Sequence, residues 1–139
     1  MSKEKLNLIL CADTEDNHPN YLPSWKKYGS NYDKNPPEFR FGWTRYWDDL
    51  NKLFDEFNVK ISWFVRVDTC IKDEFIRKFK KKILKLKKDG HEIGIHIHTL
   101  TWDGKIWRQS MDPNEQEIIV KKSVKIFEKT LGFPPKVSR

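Results

Sequence analysis

The sequence has no apolar run that approaches the ~20 residues of a membrane-spanning helix, so no membrane span is expected. The N-terminal stretch MSKEKLNLILCAD has too short an apolar run for a secretory signal peptide, and no small-residue cleavage site follows it. We therefore expect a cytoplasmic protein. Cysteine is also scarce, since Cys11 and Cys70 are the only two. They are too few and too far apart for a disulfide framework or a thiolate metal site, so we expect reduced thiols.

Acidic residues are missing from one stretch, RKFKKKILKLKK at 77–88, which carries eight basic side chains. These eight exceed the net charge of +7, so the rest of the chain is close to neutral. Apolar residues recur here near helical spacing, which predicts an amphipathic helix whose lysines lie on a solvated face. The alternative is a module that binds an anionic partner through this helix. Because no aromatic residues interleave with the lysines on the polar face, a stacking platform for nucleic acid is not indicated, and nucleic acid is not an expected partner.

The length of 139 residues is enough for one domain, over 1–139, with a core of its own but not for two. Aromatic residues make up 14% of the chain, which excludes an intrinsically disordered protein. Strand and helix patterns alternate: strands at 5–13, 59–68 and 91–98, helices at 43–58, 77–88 and 113–131, and the start of a strand at 133–139. This order is typical of an α/β fold with parallel strands and right-handed crossover helices, either doubly wound or a barrel.

The helix boundaries are marked by capping residues. Asp112 as N-cap and Pro113 at the first helical position predict the start of the last helix, and Gly132 predicts its end. Asp73 could cap the basic helix, which is expected to end at Gly90.

Residues 17–42 interrupt this pattern with an irregular segment rich in proline and aromatic residues. Irregular segments of this length are uncommon inside a compact domain and are often functional. Its rings, Trp25 among them, could stack on a substrate or pack the segment onto the domain, and the sequence favours neither reading.

Three predicted strands end in residues that bind metal ions, protons or polar substrates. In strand order these are Asp13, Glu15 and Asp16, then Arg66 and Asp68, then His96 and His98. In parallel α/β folds the chemistry lies beyond the C-terminal ends of the strands, so these residues are expected to converge. Residues two apart in a strand point to the same side. His96 and His98 therefore project together, while Ile95 and Ile97 face apolar packing.

Two imidazoles on one side, facing a carboxylate from a neighbouring strand, form a two-histidine–one-carboxylate site. Such a site suits zinc or another first-row divalent ion and leaves positions open for water and substrate. The alternative is that both histidines are structural. His91, at the start of its strand, is expected to be structural, and His18 to be a loop residue. With a metal bound, a spare carboxylate can take a proton from activated water, which predicts metal-assisted hydrolysis of an amide or ester.

The same segments resemble the motifs of the polysaccharide deacetylases, the NodB-homology carbohydrate esterases. LILCADTED is similar to the first motif, a strand ending in paired acids, and NVKISWFVRVD to the strand after the first helix. KKDGHEIGIHIH is similar to the family's Gly-His-Glu-x-Gly-x-His segment, and LGFPPKVSR to the run into the third motif, which opens with an arginine. The resemblance implies a distorted (β/α) barrel and removal of acetyl groups from N- or O-acetylated sugars.

The resemblance also implies roles for individual residues. Asp13 would be the catalytic base, Asp16 or Glu15 the metal carboxylate, and His96 the first metal histidine, with Zn²⁺ as the expected ion. Arg139 would orient the catalytic carboxylate. The residues expected to line the cleft and contact the acetylated carbohydrate are Arg66, Asp68, Trp102 and Trp25.

The chain departs from the family pattern in spacing and in length. The family usually has its second metal histidine four residues after the first, where this chain has Leu100, so His98 would take that role. A full barrel needs roughly 200 residues or more, and this chain reaches Arg139 where the third motif would begin. We therefore expect the N-terminal part of a larger barrel, completed by further residues or by another chain. The alternative functions are non-catalytic carbohydrate binding through 17–42 and anion binding through 77–88.

Overall fold

The computed structural model describes residues 9–14, 47–67, 74–103 and 107–139. In chain order the elements are β1 (Cys11–Thr14), α1 (Trp47–Glu56), β2 (Ser62–Arg66), α2 (Glu74–Lys78), α3 (Lys80–Lys88), β3 (Glu92–His96), β4 (Leu100–Trp102), β5 (Trp107–Gln109) and α4 (Pro113–Leu131). Among the helices described, none is both long and apolar enough to cross a membrane. The irregular segment predicted at 17–42 lies outside the described residues.

The strands β1, β2 and β3 form a parallel sheet in that order. Residues 137–139 extend it on the other side of β3, where Ser138 forms a parallel bridge with Ile95. The Ile95 amide donates to the Val137 carbonyl at 3.0 Å, and the Arg139 amide donates to the Ile95 carbonyl at 3.0 Å. The fourth strand predicted at the end of the chain is therefore confirmed over residues 137–139.

The hydrophobic core lies on one face of this sheet. Trp63 and Val65 of β2 and Ile95 of β3 point into it. Every described helix contributes to the same core: Trp47 from α1, Phe75 and Ile76 from α2, Ile83 and Leu86 from α3, and Phe127 and Leu131 from α4. A doubly wound sheet is covered by helices on both faces, whereas a barrel carries them only on its outside. The described part of the chain is therefore a parallel α/β sheet of the barrel kind that is partial and not closed.

The opposite face of the sheet, here called the site face, carries Asp13, Phe64, Arg66, Gly94 and His96. Parallel register places Asp13 beside Phe64, Phe64 beside Gly94, and Arg66 beside His96. Neighbours in register point to the same side of a sheet. The candidate residues of three different strands thus share one surface.

The last helix, α4, has the boundaries that its caps predict. The Asp112 side chain accepts a hydrogen bond from the Asn114 amide at 2.9 Å, and Pro113 is the first helical residue. Gly132 ends the helix with φ +84°, a left-handed conformation that favours glycine. Gly90, after α3, also has a positive φ, of +92°.

The basic stretch 77–88 is not one continuous helix, which corrects the sequence-based prediction. It divides between α2 and α3 at Phe79, whose backbone has φ −96° and ψ 9°. The aromatic ring of Phe79 is partly buried against the core, 4.8 Å from the Phe75 ring. Backbone hydrogen bonds of 3.0 Å, from the Phe79 amide to the Phe75 carbonyl and from the Ile83 amide to the Phe79 carbonyl, span the break. Asp73, the predicted cap, lies outside the part of the chain that the structure describes.

The lysines of α3 lie on its outer side, as amphipathic spacing predicts. Lys82 forms an ion pair with Asp48 of α1 at 2.7 Å, and Lys85 pairs with Asp89 at 2.5 Å. The Lys85 partner lowers the pKa of the Asp89 carboxyl through its hydrogen bond. These contacts are those of a solvated helix face.

A two-stranded antiparallel hairpin follows β3 and was not predicted. It consists of β4 and β5, with Trp102 paired to Trp107 and Leu100 paired to Gln109. Each strand has three residues, which is too short for an alternating pattern to be recognised in the sequence. The hairpin stands between the histidines at the end of β3 and the start of α4.

Candidate metal centre at the C-terminal edge of the sheet

His96 and His98 meet on the site face at the C-terminal end of β3. Their Nε2 atoms are 3.0 Å apart, and their rings are nearly perpendicular, with centroids 4.6 Å apart. His96 is the last residue of β3, and His98 follows the strand. Ile95 and Ile97 point the other way and pack with the core, as two-residue alternation predicts.

Asp13 lies beside His96 on its opposite ring edge. The Asp13 Oδ1 atom is 3.9 Å from the Nδ1 atom of His96. This Oδ1 atom is buried and accepts no hydrogen bond from the described residues. His96 thus directs Nε2 towards His98 and Nδ1 towards a carboxylate, which is the orientation that outer carboxylates impose on metal-binding histidines.

Arg139 reaches the same carboxylate from the last strand of the sheet. Its Nε atom is 3.5 Å from Asp13 Oδ2, and its Nη1 atom donates to the Cys11 sulfur at 3.2 Å. The Cys11 thiol is exposed and forms no disulfide with the described residues. Arg139 and His96 therefore contact different oxygens of Asp13, and the arginine lies where a residue that orients this carboxylate would have to lie.

Arg66 lies on the site face next to His96 and is only 2% exposed. Its backbone amide donates to the Thr14 hydroxyl at 3.0 Å, which ties the ends of β1 and β2 together. Trp102 is on the hairpin and remains 40% exposed. The other predicted site residues lie outside the described ranges, and these are Glu15, Asp16, Asp68 and Trp25.

The donor set fits a small divalent ion in part. Zn–N bonds of about 2.0–2.1 Å at a tetrahedral angle separate two nitrogens by about 3.3 Å, close to the Nε2 separation here. Among the described residues, however, no three histidine, cysteine or acidic side chains form a group able to hold a metal. Asp13 contacts His96 on the Nδ1 side, away from His98. Glu15 and Asp16, the carboxylates predicted as metal ligands, lie outside the described residues.

A comparison with known families bears on what this site does. The polysaccharide deacetylase family matches the chain over residues 18–139, which is most of its length. The chain belongs to the polysaccharide deacetylase family. The matched range includes His96, His98 and Arg139, whereas Asp13 precedes it.

The solved structures include a distant relative of this deacetylase-family chain. It is a candidate polysaccharide deacetylase from Mycobacterium smegmatis, 22% identical, with a TM-score of 0.49. The similarity covers 67% of this chain and 29% of that protein, so this chain spans less than a third of that protein's length. No curated protein matches the sequence.

His91, which was predicted to be structural, lies in the core. Its Nδ1 atom accepts a hydrogen bond from the Ile61 amide at 3.3 Å, and its ring packs edge-on against Trp63. Burial lowers the pKa of the His91 imidazole, with Lys60 adding to the effect. His91 is therefore a neutral acceptor inside the core and lies away from the site face.

Three residues whose hydrogen bonds hold the backbone near the site were not identified from the sequence: Thr14, Thr99 and Ser110. Thr14, whose hydroxyl holds the end of β2, stands inside the acidic cluster, where attention went to the carboxylates. Thr99 and Ser110 join the hairpin to the strand that carries the histidines. The only sequence signal for Thr14 and Thr99 is that each directly follows a candidate residue, Asp13 and His98.

Proposed function

We propose that this chain carries the metal-binding part of a deacetylase that removes acetyl groups from N- or O-acetylated sugars. The observation that supports it best is the His96–His98 pair with Asp13 on the far side of His96. Membership of the polysaccharide deacetylase family supports hydrolysis of amide or ester bonds. Deacetylases of this family are generally metal-dependent.

The proposed ligands are the Nε2 atoms of His96 and His98 and a carboxylate of Glu15 or Asp16. A bound zinc or similar ion would supply a Lewis acid for the acyl carbonyl and lower the pKa of its water. The family resemblance assigns the role of the base to Asp13. Among the described residues none donates a hydrogen bond to Asp13 Oδ1, so this atom would be able to accept a proton.

Arg139 and the remaining polar residues would position the reacting groups. By contacting Asp13 Oδ2, Arg139 would keep the carboxylate turned so that Oδ1 faces the histidines. Arg66 lies beside His96 in register and is only 2% exposed, so its contact with the sugar stays a prediction. Trp102 would offer an exposed ring to the apolar face of a sugar.

The test of this function begins with metal content. Protein purified without added metal is analysed for bound elements, together with a His96→Ala/His98→Ala double variant. Wild type should retain a divalent ion and the double variant should lose it. The control is His91→Asn, which removes a histidine of the core and should leave metal content unchanged. Equal, low occupancy in wild type and double variant would rule out the metal site.

A second measurement separates catalysis from simple sugar binding. Acetate release from chitin oligosaccharides is compared between wild type and Asp13→Asn, with binding of the same oligosaccharides measured in parallel. A deacetylase should lose acetate release by a factor of 10²–10⁴, the usual contribution of a general base, and keep its binding. A non-catalytic carbohydrate-binding protein would release no acetate and bind the sugar whether or not a chelator is present.

A further inference from the structure

His98 lies beyond the end of β3, so the regular hydrogen bonds of the sheet do not hold it. Its two neighbours in sequence are anchored instead. The Ile97 amide donates to the Arg139 carbonyl at 3.2 Å, and the Thr99 carbonyl accepts from the Ser110 amide at 2.8 Å. The backbone on either side of the His98 ring is therefore held by separate parts of the fold.

Thr99 directly precedes β4, and Ser110 directly follows β5, so their hydrogen bond closes the open end of the hairpin. The Thr99 hydroxyl accepts a hydrogen bond from the side-chain amide of Gln109, in addition to the backbone bond from Ser110. Thr99 and Ser110 are both buried. Because buried polar groups are costly to leave unpaired, this junction resists local opening.

Ser110 connects this junction to the start of α4. Its hydroxyl donates to Glu115 at 2.5 Å and accepts from the Asp112 amide at 3.3 Å, while its carbonyl accepts from the Gln116 side chain at 2.5 Å. The helix that begins there is 19 residues long and packs into the core. Ser110, only 4% exposed, thus links a rigid helix to the residue next to His98.

The hairpin also explains the spacing of the histidines in this chain. Leu100, at the position where the family usually has its second histidine, is buried and pairs with Gln109 in the hairpin. The chain has left the sheet by that point, whereas the His98 ring already meets His96.

We propose that Ser110 is a positioning residue that, through Thr99, fixes the His98 imidazole against His96 for metal binding. This inference rests on the proposed function, because it concerns the same metal site. Ser110 itself touches neither metal nor substrate. It acts by holding the backbone from which one ligand projects.

The test compares Ser110→Ala with Ser123→Ala. Both serines are buried, but the Ser123 hydroxyl makes no hydrogen bond to the described residues, so its removal is a matched control. The zinc dissociation constant is measured by competition with a chromophoric chelator. Ser110→Ala keeps the backbone bond to Thr99 but removes the hydroxyl contacts with Glu115 and the Asp112 amide, which tie Ser110 to the start of α4. We expect this loss to weaken zinc binding about tenfold, at the low end for loss of a group that supports a metal ligand. Ser123→Ala should bind zinc as wild type does, and Ser110→Thr, which retains a hydroxyl, should recover most of the affinity.

A second readout uses the metal-free protein. The ring ¹⁵N and ¹H signals of His98 are compared by NMR in wild type and both alanine variants. Ser110→Ala should shift or broaden the His98 signals, and Ser123→Ala should not. If Ser110→Ala does not fold, Thr99→Val removes the acceptor for Gln109 next to His98 and should have the same effect.

The two readouts separate the proposals. Unchanged zinc affinity and unchanged His98 signals in a folded Ser110→Ala variant would overturn the positioning role while leaving the metal site intact. If wild type binds no zinc, the proposed function fails, and the His98 signals of the metal-free protein still decide whether Ser110 positions the ring.

Discussion

Histidines close together in sequence take opposite roles because alternate strand residues face opposite sides. His91 shares the side of Ile93 and Ile95 and packs against Trp63 in the core. His96 is on the other side, where its Nε2 atom meets that of His98. The same side chain is thus a buried hydrogen-bond acceptor in one place and a candidate ligand in the other.

The buried acceptor His91 predicts a pH dependence of stability. Because burial lowers its pKa, the unfolded chain binds a proton at His91 at a higher pH than the folded protein does. The stability that the neutral ring contributes is therefore complete above the unfolded pKa of about 6.5 and is lost as the pH falls below it. We expect the free energy of unfolding in urea to decrease as the pH falls from about 7 to about 5.

The variant His91→Asn tests whether His91 causes this pH dependence of stability. The asparagine oxygen can still accept from the Ile61 amide but does not titrate, so this variant should be less stable than wild type and less dependent on pH. His18, His96 and His98 remain in both proteins, and the comparison isolates His91. An equally steep pH dependence in the variant would contradict the assignment.

Among the secondary-structure elements, β3 is paired on both sides, by β2 and by residues 137–139. Gly94 in this strand allows its neighbours to approach closely. A β-carbon there would lie 2.7 Å from Val137 Cγ2 and 2.9 Å from both Val137 O and Phe64 Cδ1. The last strand, which carries Arg139 to the site, therefore packs against a position that only glycine fits.

Gly94→Ala should displace residues 137–139 and destabilise the protein by about 1–3 kcal/mol, the usual effect of overpacking. Urea unfolding measures the loss, and hydrogen exchange at the Arg139 amide shows whether the strand has detached, since this amide donates to the Ile95 carbonyl. The control is Gly132→Ala, where the added carbon meets nothing within 4 Å and the cost comes from the positive φ. That variant should lose stability without selectively exposing the Arg139 amide.

At the scale of the whole molecule, the site joins parts that are distant along the chain. Arg139 contacts Cys11, 128 positions away, and contacts Asp13 on the same strand. Metal ligands at the end of β1 and after β3 would add a further connection between these segments. A ligand that binds only the folded state stabilises it according to its affinity and concentration.

Metal should therefore raise the thermal unfolding midpoint of this protein. We expect the midpoint to rise with zinc concentration in wild type and to fall on addition of a chelator. The His96→Ala/His98→Ala variant should show neither change, and scanning calorimetry measures both. The same midpoint shift in the double variant would mean that zinc binds elsewhere.

Local patterns were sufficient to predict much of the fold and the positions of the described candidate residues at the strand ends. The α4 boundaries followed from Asp112, Pro113 and Gly132, and the shared side of His96 and His98 followed from two-residue alternation. These signals act within a few residues, so they can be recognised without knowing the fold. The same locality explains two errors: the hairpin strands are too short to show a pattern, and helical spacing does not reveal the irregular backbone at Phe79.

Long-range packing decided between the two sheet architectures and brought distant segments into contact, neither of which local patterns could predict. Alternating strands and helices were compatible with a doubly wound sheet or a barrel, and the choice depended on all described helices packing on one face. The contacts of Arg139 with Asp13, and of Ser110 with the residue beside His98, join segments that have no pattern in common. Residue types and their periodicity thus determine which side chains reach the C-terminal edge of the sheet. Which of them meet there depends on the packing of strands and helices, because contact between distant segments minimises the free energy of the whole chain.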